Sequence, residues 1–144
     1  MTHVNPDEAR LRSLLENASR IAVVGLSPKP HRDSNRIGRY LLEYGYAVIP
    51  VYPREDTILG QRVYRRVQDI PGEIDIVDVF RRSAELAGVT DEALTARAKA
   101  LWFQLDCIDE ESAARAAAAG LLVVMGRCIM VDHARLLGRA EQRG

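Results

Sequence analysis

Apolar residues fall in short blocks along this chain, and two periodicities alternate. Leu11, Leu14, Leu15 and Ala18 recur at i, i+3, i+4 and i+7, which predicts a helix over Asp7 to Ala18 with one apolar stripe. Pro6 suits its start, where a missing N–H costs nothing. Ile21-Ala22-Val23-Val24-Gly25 is a continuous apolar run, the pattern of a strand covered on both faces. A polar loop follows. Ile37, Tyr40, Leu41 and Tyr44 then mark the inner face of a second helix, which Asp33 or Ser34 can cap and Gly45 stops. Ala47 to Val51 is the second strand, and Pro50 within it requires that no neighbouring strand need its N–H.

Residues 52–73 show no period and read as irregular, with a short helical turn near Val67–Ile70. Ile74 to Phe80 is rich in β-branched residues and makes the third strand. Ser83 to Ala98 is helical with an interruption at Gly88, and Ala100 to Leu105 is the fourth strand. Asp109 to Ala119 forms an alanine-rich helix closed by Gly120, and Leu121 to Met125 is the fifth strand. Met130 to Leu137 is a last helix with Val131, Ala134 and Leu137 turned inward, followed by a loose tail. Strands thus alternate with helices. The pattern predicts an α/β fold: a Rossmann-like open, mostly parallel five-stranded sheet with helices on both faces. No repeat, low-complexity tract or linker divides the chain. Residues 1–144 therefore read as a single domain with its core at about 10–138.

Composition narrows the function classes. Apolar residues make up 47% of the 144, enough for a real core. Lysine plus arginine and aspartate plus glutamate each number 20, so no whole-molecule attraction to nucleic acid or membrane is expected. No apolar run approaches the roughly 20 residues of a membrane span, and the N-terminus lacks a signal-peptide core. Cys107 and Cys128 show no metal-like pairing and suggest no disulfide framework, which fits a reducing cytoplasm.

In open α/β sheets ligands bind beyond the carboxyl ends of the strands. The first β-loop-α unit, Ile21 to Tyr44, places backbone N–H groups at a helix start, where an anion can sit. Yet a G-x-G-x-x-G fingerprint would need glycine at 25, 27 and 30, and the chain has Gly25, Ser27 and Pro30. The architecture points to a nucleotide, while the loop argues against an ordinary NAD site. Six basic residues follow the strands on this edge: Lys29, Arg32, Arg54, Arg81, Arg82 and Arg127. In a neutral molecule, that local excess suits a ligand with several phosphates. An NAD site usually places a carboxylate after the second strand. Here Val51-Tyr52-Pro53-Arg54 puts an arginine there, favouring a phosphorylated ribose as in NADP or the 3′-phospho-ADP part of coenzyme A (CoA). Glu55 and Asp56 nearby weigh against it.

The blocks GLSPKPHRDSNRIGRYL, VIPVYPREDTILGQRVY, IDIVDVFRR and LWFQLDCIDEESAARAAAAGLLVVMGRCIMVDHARLL, in this order, resemble the small stand-alone CoA-binding proteins over roughly residues 10–138. More distantly, the chain is similar to the CoA-binding domain of the succinyl-CoA synthetase α subunit and of ADP-forming acyl-CoA synthetases. The resemblance implies a Rossmann-like CoA-binding fold. It implies that Gly25, Leu26, Ser27 and Lys29 form the loop around the diphosphate, with Arg32 and Ser34 assisting at the helix start. Pro53 and Arg54 match the turn that receives the 3′-phosphate. Phe80, Arg81 and Arg82 would border adenine and phosphates, and Gln104 and Leu105 the pantetheine arm. Arg127 and Cys128 stand where related domains have an Asn-Cys-Pro-like turn, but here the sequence is Arg-Cys-Ile.

The larger synthetases use a phosphorylated histidine from a following domain, which this sequence does not carry. Of its histidines, His3 belongs to the N-terminal tail, His31 to the phosphate loop, and His133 to the last helix in a structural role. Asp75 and Asp78 lie on a strand, and Asp78 is expected to accept backbone or arginine hydrogen bonds. Asp106, Asp109, Glu110 and Glu111 lack the ordered spacing of a calcium loop, so no metal is expected. Cys128 is expected to be a small buried residue, the alternative being a mixed disulfide with CoA. The sequence therefore reads as a non-catalytic binding or regulatory module for CoA or acyl-CoA. An NADP-dependent oxidoreductase and an interaction subunit of an acyl-CoA-using enzyme, with an unknown protein partner, remain as alternatives.

Overall fold

The computed structural model describes residues 2–138. Five strands form one wholly parallel sheet: β1 (Arg20–Val24), β2 (Ala47–Val51), β5 (Ile76–Val79), β6 (Ala100–Gln104) and β7 (Leu122–Arg127), in the order β2-β1-β5-β6-β7. Each strand alternates its side chains between two apolar layers, which is why the strands read as unbroken apolar runs. Ile21, Val23, Ile76, Ala100 and Trp102 face one layer. There they meet α1 (Glu8–Asn17), α2 (Asp33–Glu43) and α5 (Ile129–His133) through Leu11, Leu15, Ile37, Leu41 and Ile129. Ala22, Val24, Val77, Leu101 and Phe103 face the other, against α3 (Leu86–Thr95) and α4 (Glu110–Ala118). The five strands and five helices expected of a Rossmann-like sheet are therefore present.

Several local expectations are corrected. Asp7 caps α1 by accepting the Arg10 N–H at 2.9 Å, but neither Asp33 nor Ser34 caps α2, whose N-cap is Arg32. Gly88 does not interrupt α3. The break comes earlier, where a 3-10 turn at Ser83–Glu85 leads into the helix. At an exposed helical position a missing side chain removes no packing, and nothing lies within 4 Å of where its Cβ would be. The third strand is shorter than predicted, while the fifth runs on to Arg127. The last helix starts at Ile129 and widens into a π-type turn at Ala134–Gly138. That start turns Ile129, Asp132, His133, Leu136 and Leu137 inward and leaves Val131 56% exposed and Ala134 exposed. The predicted loose tail lies outside the described residues.

Residues 52–73 are less irregular than their pattern suggested. An antiparallel ribbon pairs β3 (Thr57–Ile58) with β4 (Gln61–Arg62), and a 3-10 turn covers Val67–Asp69. Two-residue strands are too short for any alternation to register. Beyond the ribbon, Tyr64 bridges Val51 and donates its N–H to the Pro50 carbonyl at 3.0 Å. Pro50 is accommodated because β2 is the outer strand of the main sheet.

The first residues are also tied down. The Asn5 side chain donates to the Met125 carbonyl at 3.0 Å and accepts the Met125 N–H at 2.8 Å. His3 Nε2 lies 2.9 Å from the Val123 carbonyl. His3 is thus docked on the β7 edge.

Candidate functional site

The chain leaves β1 toward β2 and β5 toward β6, on opposite sides, so the sheet opens between β1 and β5 at their carboxyl ends. Gly25 sits at that point with φ +86°, and a Cβ there would lie 2.2 Å from the Phe80 carbonyl oxygen. Only glycine lets the two strand ends approach so closely. The Gly25 N–H donates to Val51 at 2.9 Å and the Phe80 N–H to Val24 at 2.8 Å, which fixes the mouth of the crevice.

The loop after Gly25 is shaped by α2. Ser34 is buried and accepts the Ser27 N–H at 2.9 Å. The Ser27 hydroxyl accepts the Lys29 N–H at 3.1 Å, and Asn35 donates to the Ser27 carbonyl at 2.8 Å. Arg39 donates to Asn35 at 3.0 Å and to the Pro30 carbonyl at 2.9 Å. No side chain caps α2. Its first N–H groups have no intrahelical acceptor, and together with the helix dipole they favour an anion. Gly25, Ser27, His31, Arg32, Ser34 and Phe80 line this crevice, with Tyr52 and with Asp33, whose carboxylate is paired with Arg36 at 3.1 Å. Leu26 does not reach it by its side chain, which is fully buried and packs on Gly38.

A second crevice lies on the other side of β1. Val24, Val51 and Val89 line it, with Pro53, Arg65 and Arg81 beside them, and Glu85 and Glu92 complete it. Arg54 is exposed in the turn after Pro53. Of the six basic residues the sequence placed on this edge, the side chains of Lys29, Arg32, Arg54 and Arg81 make no hydrogen bond or ion pair with the described residues. Arg82 pairs with Glu85 at 3.3 Å. Arg127 is bound to the buried Asp132 by two hydrogen bonds of 2.7 Å, which raise its already high pKa.

The remaining predicted residues lie toward β6 and β7. Gln104 is buried, and its Oε1 accepts the Ile129 N–H at 2.9 Å, holding the start of α5. Cys128 is the buried N-cap of that helix. Leu105, just past β6, is 54% exposed with φ +30°, a strained backbone for leucine. Cys107 donates its thiol toward the Arg81 carbonyl at 3.0 Å, and burial pushes its pKa up.

Two carboxyl groups on β5 and its approach behave oppositely. Burial alone would raise Asp75, but N–H groups of Arg20 and Ser19, at 2.9 and 2.8 Å, and the Lys99 ammonium hold it below the usual range. Asp78 is fully buried, and neither carboxyl oxygen has a partner in the described residues. Burial therefore raises its pKa well above the ordinary value. This overturns the expectation that Asp78 accepts backbone or arginine hydrogen bonds. Its neighbours Val23 and Trp102 offer no facing charge. His133 is buried, and the Tyr40 hydroxyl lies 2.8 Å from its Nδ1. Burial and the neighbouring Tyr44 push Tyr40 up to about 12.

The family pattern described as a CoA binding domain matches residues 19–134. The chain belongs to the CoA-binding domain family. This CoA-binding domain is 41% identical over 130 residues to the uncharacterized protein YneT of Bacillus subtilis, covering 90% of this chain and 96% of that one. It superimposes on a hypothetical protein from Pyrococcus horikoshii with a TM-score of 0.89 and 39% identity, covering 96% and 100% of the two chains. It is also similar to a dinucleotide-forming acetyl-coenzyme A synthetase of Candidatus Korarchaeum cryptofilum, with a TM-score of 0.68 and 31% identity. That match covers 76% of this chain but 26% of the synthetase. Among the described residues of this CoA-binding domain, no helix is long and apolar enough to cross a membrane.

Sequence reasoning missed Asn35, Arg39 and Arg65. For the first two a signal existed: polar residues four apart on the inner edge of an amphipathic helix, beside a glycine loop. Arg65 lies in the stretch without periodicity and had none.

Proposed function

We propose that this chain binds CoA or an acyl-CoA through its 3′-phospho-ADP part and serves as a binding or regulatory module without chemistry of its own. One observation carries the reading: an uncapped helix start behind a glycine turn, with Arg32 lining its crevice and the uncommitted Lys29, Arg54 and Arg81 following the strand ends at the same edge of the sheet. The acetyl-coenzyme A synthetase relative supports CoA as the ligand.

In this reading the diphosphate rests on the loop formed by Gly25, Leu26 and Ser27 with Lys29, and Arg32 and Ser34 assist at the start of α2. Leu26 contributes through its backbone, since its side chain is core. Pro53 and Arg54 receive the 3′-phosphate. Adenine lies against the apolar floor of the second crevice beside Arg81, with Arg82 following it in the chain and Phe80 bordering the phosphates in the first crevice. The pantetheine arm leaves past Gln104 and the exposed Leu105 toward Arg127 and Cys128. Arg127 contributes little charge there while Asp132 holds it. Buried His133 is matched with Tyr40, a core contact rather than a nucleophile and its base. A protein partner that reads the CoA-bound state is compatible with this role.

The test is calorimetric titration of ligand-stripped protein with CoA, dephospho-CoA and NADP. Tight CoA binding, weaker dephospho-CoA binding and none for NADP would support the proposal. NADP binding without CoA binding would replace it by the oxidoreductase reading.

A further inference from the structure

After β4 the chain returns along the outer edge of the main sheet. The Tyr52 N–H donates to the Tyr64 carbonyl at 3.0 Å, and the next residue, Arg65, comes to rest against the turn after β2. Arg65 Nη1 donates to three carbonyl oxygens of that turn: Tyr52 and Arg54, each at 3.1 Å, and Glu55 at 2.9 Å. Glu55 closes the turn with φ +71°, in the left-handed region. Three converging carbonyls make a small negative concavity, and the Nη1 amino group fills it, its two N–H groups shared among the three. The other edge of the fork, Nε and Nη2, makes no hydrogen bond with the described residues. The side chain lines the second crevice beside Pro53 and Arg81.

A fixed arginine with a free edge is prepared for a phosphate. Its rotamers are already restricted, so binding orders less than it would at a free side chain. Arg54, four atoms of flexible stem in solvent, has no such support. The carboxylates of this crevice are engaged elsewhere: Glu85 accepts from Arg82 at 3.3 Å and Glu92 from the Val67 N–H at 2.9 Å.

We propose that Arg65 is a direct ligand of the phosphate on the ribose of the bound nucleotide and, with Arg54, sets the preference for CoA over dephospho-CoA. This rests on the reading of the crevice as a CoA site. It adds a second role to Arg65, which holds the Pro53–Arg54 turn with one edge and takes the phosphate with the other.

The experiment is a double-mutant cycle. Wild type, Arg65→Met, Arg54→Ala and the double variant are each titrated calorimetrically with CoA and with dephospho-CoA. Arg65→Met should lower the CoA to dephospho-CoA affinity ratio by roughly tenfold or more, the scale of a lost charge-assisted hydrogen bond. The same substitution should lower the ratio again in the Arg54→Ala background. If it has no further effect there, Arg65 acts only by placing Arg54, and the proposal is overturned. An unchanged ratio, or equal losses for both ligands, overturns it as well. Should Arg65→Met fail to fold, Arg65→Lys keeps a donor for the carbonyls but removes the fork, and the ratio should still fall. Wild-type protein that binds neither ligand sinks the CoA reading itself. Wild type that prefers CoA, with variants that leave the preference intact, sinks only Arg65.

Discussion

Replacing Asp78 should make the folded protein more stable at neutral and mildly alkaline pH. Asp78 lies on the central strand β5, fully buried and without a hydrogen-bond partner in the described residues. Its pKa is raised in the folded state by burial. The folded protein therefore holds a proton there that the unfolded chain has released. Stability from this group is complete below the ordinary carboxyl pKa of about 4 and is lost as pH rises toward the folded value. Each unit of that displacement costs about 1.4 kcal/mol at high pH. Asp78→Asn keeps the shape and removes the proton, so it should flatten the fall in stability between pH 5 and 8. Asp78→Leu also removes the unpaired polar group and should gain about 1–3 kcal/mol at pH 8. For a domain of this size each kcal/mol is worth roughly 2–4 °C in Tm. The assay is urea unfolding at pH 5, 6, 7 and 8, followed by the fluorescence of Trp102. That residue is the only tryptophan, and it lies beside Asp78 in the strand register. Asp75 does not mask the effect, because its pKa is lowered and its loss of stability falls in the acid below pH 4. If wild type gains stability from pH 5 to 8 and both variants lose about 2 kcal/mol or more at pH 8, Asp78 is an ionised, paired carboxylate and the reasoning is wrong.

Arg54→Glu should weaken CoA binding at least tenfold while changing dephospho-CoA much less, and calorimetry with equal losses for the two ligands would remove Arg54 from the 3′-phosphate. Gly25→Ala drives a Cβ into the Phe80 carbonyl and strains a positive φ, so a destabilisation of about 2 kcal/mol or more is expected in denaturant titration. Asp132→Ala leaves the half-exposed Arg127 without its buried partner and should cost about 1–2 kcal/mol in the same assay, with no measurable loss showing the pair to be dispensable. Asp75→Asn should lower stability at pH 7 but leave it unchanged below the folded pKa of Asp75, where the wild-type carboxyl is protonated too. Acid unfolding curves that stay separated at the lowest pH would contradict this.

What the sequence made legible was whatever repeats or is local. The apolar runs Ile21–Val24 and Ala100–Phe103 read as strands because both their faces are covered. Gly25 stood out because it ends such a run and opens a polar loop. Pro50 was correctly tied to an outer edge by the N–H it lacks. The missed features depend on contacts distant in sequence. Arg65 reaches a turn ten to thirteen residues earlier only because Tyr64 bridges Val51, and no periodicity in residues 52–73 announces that bridge. Val131, Ala134 and Leu137 share one apolar face at i, i+3 and i+6, but the face that packs is that of Ile129, Asp132, His133, Leu136 and Leu137, where two polar residues disguise the inward side. Arg127 looked like a free cation because Asp132, its partner, lay in the next helix. Asp78 misled in a different way. A carboxylate on a strand normally finds donors, and only three dimensions reveal that Asp78 has no hydrogen-bond partner among the described residues.

The docking of Asn5 on Met125 has a consequence for how this chain behaves in a crowd. β7 is the outermost strand on its side of the sheet, and an open strand edge is a template for another chain. Asn5 offers an amide donor and an amide acceptor to one residue of β7, as a neighbouring strand's backbone would, yet it brings no further strand with it. The sheet is thus terminated by two side chains, the Asn5 carboxamide on Met125 and the His3 imidazole on Val123. Removing the first five residues would leave the Val123 carbonyl and the Met125 backbone groups on that edge without these partners.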